Sequence, residues 1–311
     1  VGLLVLSVAM LVYSTTPPLW GIYVLHAVLG FSLATAHVVM IMIVLSTWFA
    51  ADDPRRGIAL GIAVSGASCG AGLMSQLIAA GLEVYPYPTV FRLLAVPGLL
   101  LIPLVLWVVR PPSHDGGGTW NLARGQSSGE GFAQAVRTVA TSRVAALLAL
   151  AVIPIFYVSA CIAQHTVLLL RDQGLSLQAA AAGVGTMFVF GLLGKIGSGF
   201  VLLRMPLART WTLFLALMFV GSLALWLYPR VAHGPAIALI GLGWGGCFPL
   251  TQLWIAARFP GPNLARVLGI FILLETCGSA SGAWLTGVMF DRTGSYALPL
   301  AVNAALLAFS F

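Results

Sequence analysis

Two ionisable side chains stand far inside apolar sequence, and chemistry is expected there first. Lys195 is the single lysine of the chain and lies nine residues before Arg204, a separation of about 13 Å on a helix rising 1.5 Å per residue. An ammonium at that depth is too far from the membrane boundary to snorkel easily. It either meets a carboxylate of the protein in a structural ion pair or offers a compact positive charge to an anionic substrate. Glu275, near the middle of the apolar stretch 267–290, is followed by Gly278, Ser279 and Gly282 three, four and seven residues on. Small residues on that face permit either close helix packing or a cavity. Glu275 is accordingly a candidate for proton exchange during a transport cycle, with a neutral acid hydrogen-bonded to a neighbouring helix as the alternative.

The remaining polar candidates would line a pathway or hold helices together. His26 and His37 are eleven residues apart, which leaves them about 20° apart on one helical face at 100° per residue. They either titrate along a pathway or donate interhelical hydrogen bonds. His165, with Gln164 beside it, falls near the outer end of its apolar stretch, where an entrance role is the candidate function. Gln252 follows a run containing Gly241, Gly243, Gly245, Gly246 and Pro249, a composition that either lets a helix flex as a gate or lets it pack closely. No HExxH pair, GxSxG elbow, phosphate-binding glycine loop or carboxylate cluster occurs, so no catalytic residue and no enzymatic activity are expected. Cys69, Cys161, Cys247 and Cys277 all lie in apolar runs without metal-ligand spacing. No disulfide, metal or cofactor is expected of them.

The elements that must position these groups follow from composition. Of 311 residues 60% are hydrophobic and 7% charged, with a mean hydropathy of +1.02, whereas a soluble domain is about 25% charged. So few charges cannot cover a soluble globule, which excludes a soluble enzyme, a nucleic-acid binder and a disordered chain, and leaves the lipid bilayer as the solvent. Cutting at charges, prolines and polar clusters gives ten segments: 1–16, 19–48, 57–81, 88–110, 144–169, 178–203, 208–229, 234–257, 267–290 and 296–311. They lack the alternation of barrel strands, so an all-α polytopic membrane protein is expected.

Charge sets the orientation. With Val1 on the cytoplasmic side, the loops on that side hold Arg55, Arg56, Arg110, Arg124, Arg137, Arg143, Arg204, Arg209, Arg258 and Arg266, and the opposite loops hold Arg92, Arg171, Arg230 and Arg292. Ten against four follows the positive-inside bias, and the net charge of +7 reads as membrane orientation. The long connection 111–143, rich in glycine and serine, separates an N-terminal helical half at 1–110 from a C-terminal half at 144–311. Four spans precede it and six follow, so a transporter of two six-helix halves would lack its first two helices here and have its last one clipped. Leu60-Gly61-Ile62 with Cys69-Gly70, and Leu268-Gly269-Ile270 with Cys277-Gly278, repeat one spacing in the third and ninth of these spans, as two pseudo-symmetric halves require. The run Ser65-Gly66-Ala67-Ser68-Cys69-Gly70-Ala71-Gly72 reads as a helix-crossing surface.

Several motifs, taken in order, resemble the major facilitator superfamily, in particular the branch of monocarboxylate transporters and oxalate/formate antiporters. Trp48-Phe49, then Arg55-Arg56-Gly57 and Leu60-Gly61-Ile62-Ala63-Val64-Ser65-Gly66, is similar to the junction of the fourth and fifth helices in that branch. Phe91-Arg92-Leu93 resembles its sixth-helix entrance. Gly194-Lys195 with Gly199 and Arg204 resembles the eighth helix, and Glu275-Thr276-Cys277 through Gly287, Asp291 and Thr293-Gly294-Ser295-Tyr296 resembles the eleventh. The resemblance implies the major facilitator fold, with about ten of twelve helices present, and a substrate carboxylate facing Lys195. Leu203 stands where the family has an acid, Ala283-Trp284 where it has paired prolines, and Gly191 where some relatives carry an acid one turn before the cation. Lysine in place of the commoner arginine keeps the charge but loses the bidentate fork.

The function expected on these grounds is secondary active transport of a small organic anion, a monocarboxylate in the first instance, by H⁺ symport or anion exchange in the cell membrane, inner or plasma. Efflux of a lipophilic or cationic compound and a non-transporting, transporter-like sensor are the alternatives.

Overall fold

The computed structural model describes residues 1–35, 55–108, 129–259 and 264–311, and helices are the only regular secondary structure among them. Eleven helices run in chain order: α1 (Gly2–Tyr13), α2 (Leu19–Thr35), α3 (Arg55–Val84), α4 (Tyr87–Val108), α5 (Gly129–Thr141), α6 (Arg143–Asp172), α7 (Leu177–Leu202), α8 (Leu207–Leu227), α9 (Pro229–Arg258), α10 (Leu264–Thr293) and α11 (Ala297–Phe309). Seven carry stretches long and apolar enough to cross a membrane, and α1, α2 and α11 are shorter apolar helices. Each of the ten apolar segments expected from the sequence thus corresponds to one helix, with 36–48 of the second outside the described residues. The outward side chains are apolar: Leu203 is 82% exposed, Leu106 74% and Trp107 68%. A surface of that kind is stable only against lipid.

The one described helix outside these ten segments, α5, lies inside the connection expected to be a loop. Phe132, Ala135, Val136 and Val139 recur at the three- and four-residue spacing of one helical face. Ala135 is fully buried and packs in a cluster with Leu148, Ile255, Val267 and Phe271, against which Val139 also rests. Packing of Ala135 and Val139, with Phe132 and Val136 left exposed, stabilises a helix of only 13 residues, which would be marginal alone.

The chain divides into two compact units, Val1–Ala67 with Leu77–Gly125, and Ser68–Gln76 with Gln126–Phe311. In the first, the backbone of Gly98 on α4 sits against Ser7 of α1, where a Cβ would collide with the serine hydroxyl. Ser32 of α2 donates to the Gly2 carbonyl at 2.8 Å.

The second unit is held by close helix crossings. A Cβ on Gly194 of α7 would meet the Leu242 carbonyl and lie 2.9 Å from the Gly246 nitrogen of α9. Gly245 likewise sits on the Gly191 backbone, while Gly243 and Gly246 receive Phe214 and Met218 of α8. The glycine run therefore packs α9 between α7 and α8, and α9 continues through Pro249. Ser142 and Ser176 cap α6 and α7 by accepting from the amides of Ala145 and Ala179. Gly174, at φ +89°, makes the left-handed turn between these two helices.

Candidate functional site

Lys195 sits on α7 one turn beyond Gly191, where that helix comes closest to α9. Its Nζ donates to Ser68 Oγ at 2.8 Å. It also lies 5.3 Å from the ring centre of Trp244 and 5.8 Å from that of Phe248, both on α9. These are cation–π distances. Ser68 is buried, whereas Lys195 and the two rings are half-buried. Among the described residues no carboxylate pairs with Lys195. An ammonium has three N–H donors, and the described residues supply one oxygen.

The position of Ser68 follows from a polar seam within the second unit. Ser75 Oγ approaches the Ala181 carbonyl at 3.5 Å, and Gln178 Nε2 donates to Gln76 Oε1 at 3.0 Å. Nearer to Ser68, Gly72 faces Gly185, and a Cβ on Gly72 would lie 3.7 Å from the Gly185 carbonyl. Within the second unit Ser68, Gly72, Ser75 and Gln76 thus face α7, and the Ser68 hydroxyl reaches the lysine.

Glu275 is 4% exposed on α10 and accepts a hydrogen bond from Gln252 Nε2 of α9 at 3.0 Å. The small residues that follow it pack: a Cβ on Gly278 would lie 2.7 Å from the Ile153 carbonyl, and Gly282 rests on the Tyr157 carbonyl. Of the two arrangements the sequence permits, close packing of α10 on α6 is the one formed by these glycines. Trp244, Phe248 and Gln252 follow one another at four-residue intervals on α9, so one slowly turning stripe of that helix serves both Lys195 and Glu275. The two contacts are separated by about 6–12 Å along the axis.

The histidines are held between helices. Tyr13 Oη and His26 Nδ1 are 2.8 Å apart, and the same nitrogen lies 2.9 Å from the Ile22 carbonyl. Tyr13 also stacks on Phe91 with ring centres 5.1 Å apart. His165 Nε2 is 2.9 Å from the Ala283 carbonyl, which can only accept, so Nε2 carries the proton. Its Nδ1 lies 3.3 Å from Tyr296 Oη. His165 thereby ties α6 to α10 and to the start of α11. His37 lies outside the described residues.

The structure brings Lys195 together with Ser68, Trp244 and Phe248, and Glu275 together with Gln252. Ser68, Trp244, Phe248 and Tyr296 are not among the site residues expected from the sequence. Trp244 carried a signal, since a tryptophan far from either end of its span has no interfacial role. Among the described residues no group of three or more histidine, cysteine or acidic side chains is arranged to hold a metal.

The Major Facilitator Superfamily model matches residues 1–283. An uncharacterised MFS-type transporter of Bacillus subtilis (strain 168), YcxA, is 24% identical over an alignment of 332 residues covering 99% of this chain and 75% of that protein. The crystal structure of the E. coli fucose:proton symporter FucP superimposes with a TM-score of 0.62 at 13% identity, covering 99% of this chain and 81% of that one. At this identity the structural likeness concerns the fold alone.

Proposed function

The chain belongs to the major facilitator superfamily and is a multi-pass membrane transporter, and from that premise we propose that it carries small organic anions, with monocarboxylates as the substrate class. The observation that carries the proposal is the environment of Lys195. Its ammonium is held within a membrane helix by Ser68 and two aromatic rings, and no carboxylate neutralises it among the described residues. A cation in low dielectric without a fixed counter-ion is stabilised by an anion that comes and goes. The same charge opposes a cationic substrate, which weighs against efflux of lipophilic cations.

In this proposal transport proceeds by alternating access in the cell membrane, and α9 links substrate to coupling because its one stripe meets both Lys195 and Glu275. Glu275 is the candidate carrier of a coupled proton. His26, His165 and Gln252 serve as interhelical contacts beside the pathway.

The experiment is counterflow in proteoliposomes of the purified chain, with a panel of labelled monocarboxylates beside a labelled lipophilic cation. Accumulation of one or more carboxylates and exclusion of the cation is the expected result. Accumulation of the cation alone would replace the proposal with efflux, and binding of carboxylates without counterflow would make the protein a sensor.

A further inference from the structure

We infer that the carboxylate taken by Lys195 carries an apolar, aromatic body, and that Trp244 selects it. This rests on the anion site proposed above and goes beyond it in naming what lies on the other end of the substrate. The ammonium is set in an arc of rings from three helices. Phe188 meets Trp244 edge-on at 6.0 Å, Lys195 lies over Trp244 and Phe248, and Phe248 meets Phe156 at 6.1 Å. Phe188, Trp244 and Phe248 are half-buried. Among the described residues the one side-chain oxygen bonded to the ammonium is that of Ser68.

A carboxylate approaching the two remaining donors of Lys195 must place its substituent beside these rings. A second carboxylate would lose its water there and find, among the described residues beside these rings, only the single N–H of Trp244, which does not repay the lost hydration of a charge. An aryl group would instead exchange water for edge-to-face or offset contact with the rings.

Trp244 is the ring most firmly set for this role. Its six-membered ring rests over Gly191, where a Cβ would come within 3.2–3.3 Å of it, so a side chain at that position would displace the indole from α7. Its Nε1 is buried without an acceptor, which leaves one more donor in the arc for an oxygen of the substrate.

The test compares two acids that differ only by a phenyl group. Phenylacetate and acetate compete with labelled phenylacetate for the purified full-length chain, and the ratio of their half-inhibitory concentrations is the readout. The expected ratio for the unmodified protein is about tenfold or more in favour of phenylacetate. Trp244→Leu should bring it to about threefold or less, and Trp244→Phe should keep most of it, because a ring remains. Lys195→Gln should lose bound label altogether.

A ratio near one in the unmodified protein would overturn the inference, and this measurement depends on no variant folding. A preserved ratio in a folded Trp244→Leu variant, with label lost in Lys195→Gln, would overturn the role of Trp244 while leaving the anion site intact. Undiminished binding in Lys195→Gln would remove the anion site itself.

Discussion

Replacing Glu275 with glutamine separates proton coupling from helix packing, because the structure allows the two to be changed independently. The carboxyl is 4% exposed, and one of its oxygens accepts from Gln252 Nε2 at 3.0 Å. A glutamine side chain keeps a carbonyl oxygen of similar size at that place, so the bond to Gln252 persists and Glu275→Gln should change stability by less than about 1 kcal/mol. Glu275→Leu leaves the half-buried amide of Gln252 without its acceptor and should cost about 1 kcal/mol or more. The packing of Gly278 on Ile153 and of Gly282 on Tyr157 is untouched in either case. Any transport defect of Glu275→Gln at unchanged stability therefore belongs to the proton. If Glu275 carries it, uptake driven by a pH gradient should fall to background in proteoliposomes of the glutamine variant. Counterflow of substrate across an equilibrated membrane should persist, since exchange needs no net proton movement. Gradient-driven uptake equal to that of the unmodified protein, in the same vesicles, would refute the coupling role and leave Glu275 as a packing residue.

Two further outcomes are expected. Gly194→Ala should destabilise the purified protein by about 1–3 kcal/mol, because the added carbon meets the Leu242 carbonyl and the Gly246 nitrogen. Gly199→Ala, five residues along the same helix with nothing within 4 Å of the new carbon, should stabilise by about 0.4–1 kcal/mol. Thermal unfolding midpoints in detergent should move in opposite directions, and equal shifts would contradict the close α7–α9 crossing. A cysteine at Ser127 should react with an impermeant maleimide in inverted vesicles and not in intact cells, as the ten-to-four arginine distribution requires; labelling of intact cells would reverse the orientation.

Which parts of this structure are legible in the sequence depends on how far apart the partners lie. The ten apolar helices can be read because lipid leaves the backbone no alternative to internal hydrogen bonding, and each run between charges is long enough to show it. Helix α5 is hidden by its flank. The glycine and serine of 116–129 suggest a loop, and Ala135 and Val139 become meaningful only with Val267 and Phe271 to cover them.

Glycine runs on α9 and α10 are equally compatible with flexing, a cavity or packing, and the facing carbonyls of Met187, Gly191, Ile153 and Tyr157 decide in favour of packing. Lys195 and Glu275 stand out in sequence because ionisable groups are so rare in these spans. Their partners do not, because Ser68 is 127 residues from Lys195 and reads only as a small residue on a crossing face. Trp244 lies between these extremes: its place in mid-span is visible, and its purpose needs the lysine opposite. The tie between His165 and Tyr296 spans 131 residues and has no local signature.

The central claim is that an anionic substrate is held by the ammonium of Lys195, and counterflow of a labelled monocarboxylate by the Lys195→Gln variant tests it most directly. Glutamine retains much of the side chain's length and a donor toward Ser68 while removing the charge. The variant should fold, with an unfolding midpoint close to that of the unmodified protein, and should show no counterflow, while Lys195→Arg should keep part of the activity through its retained charge. Carboxylate counterflow by Lys195→Gln at the rate of the unmodified protein would contradict the claim.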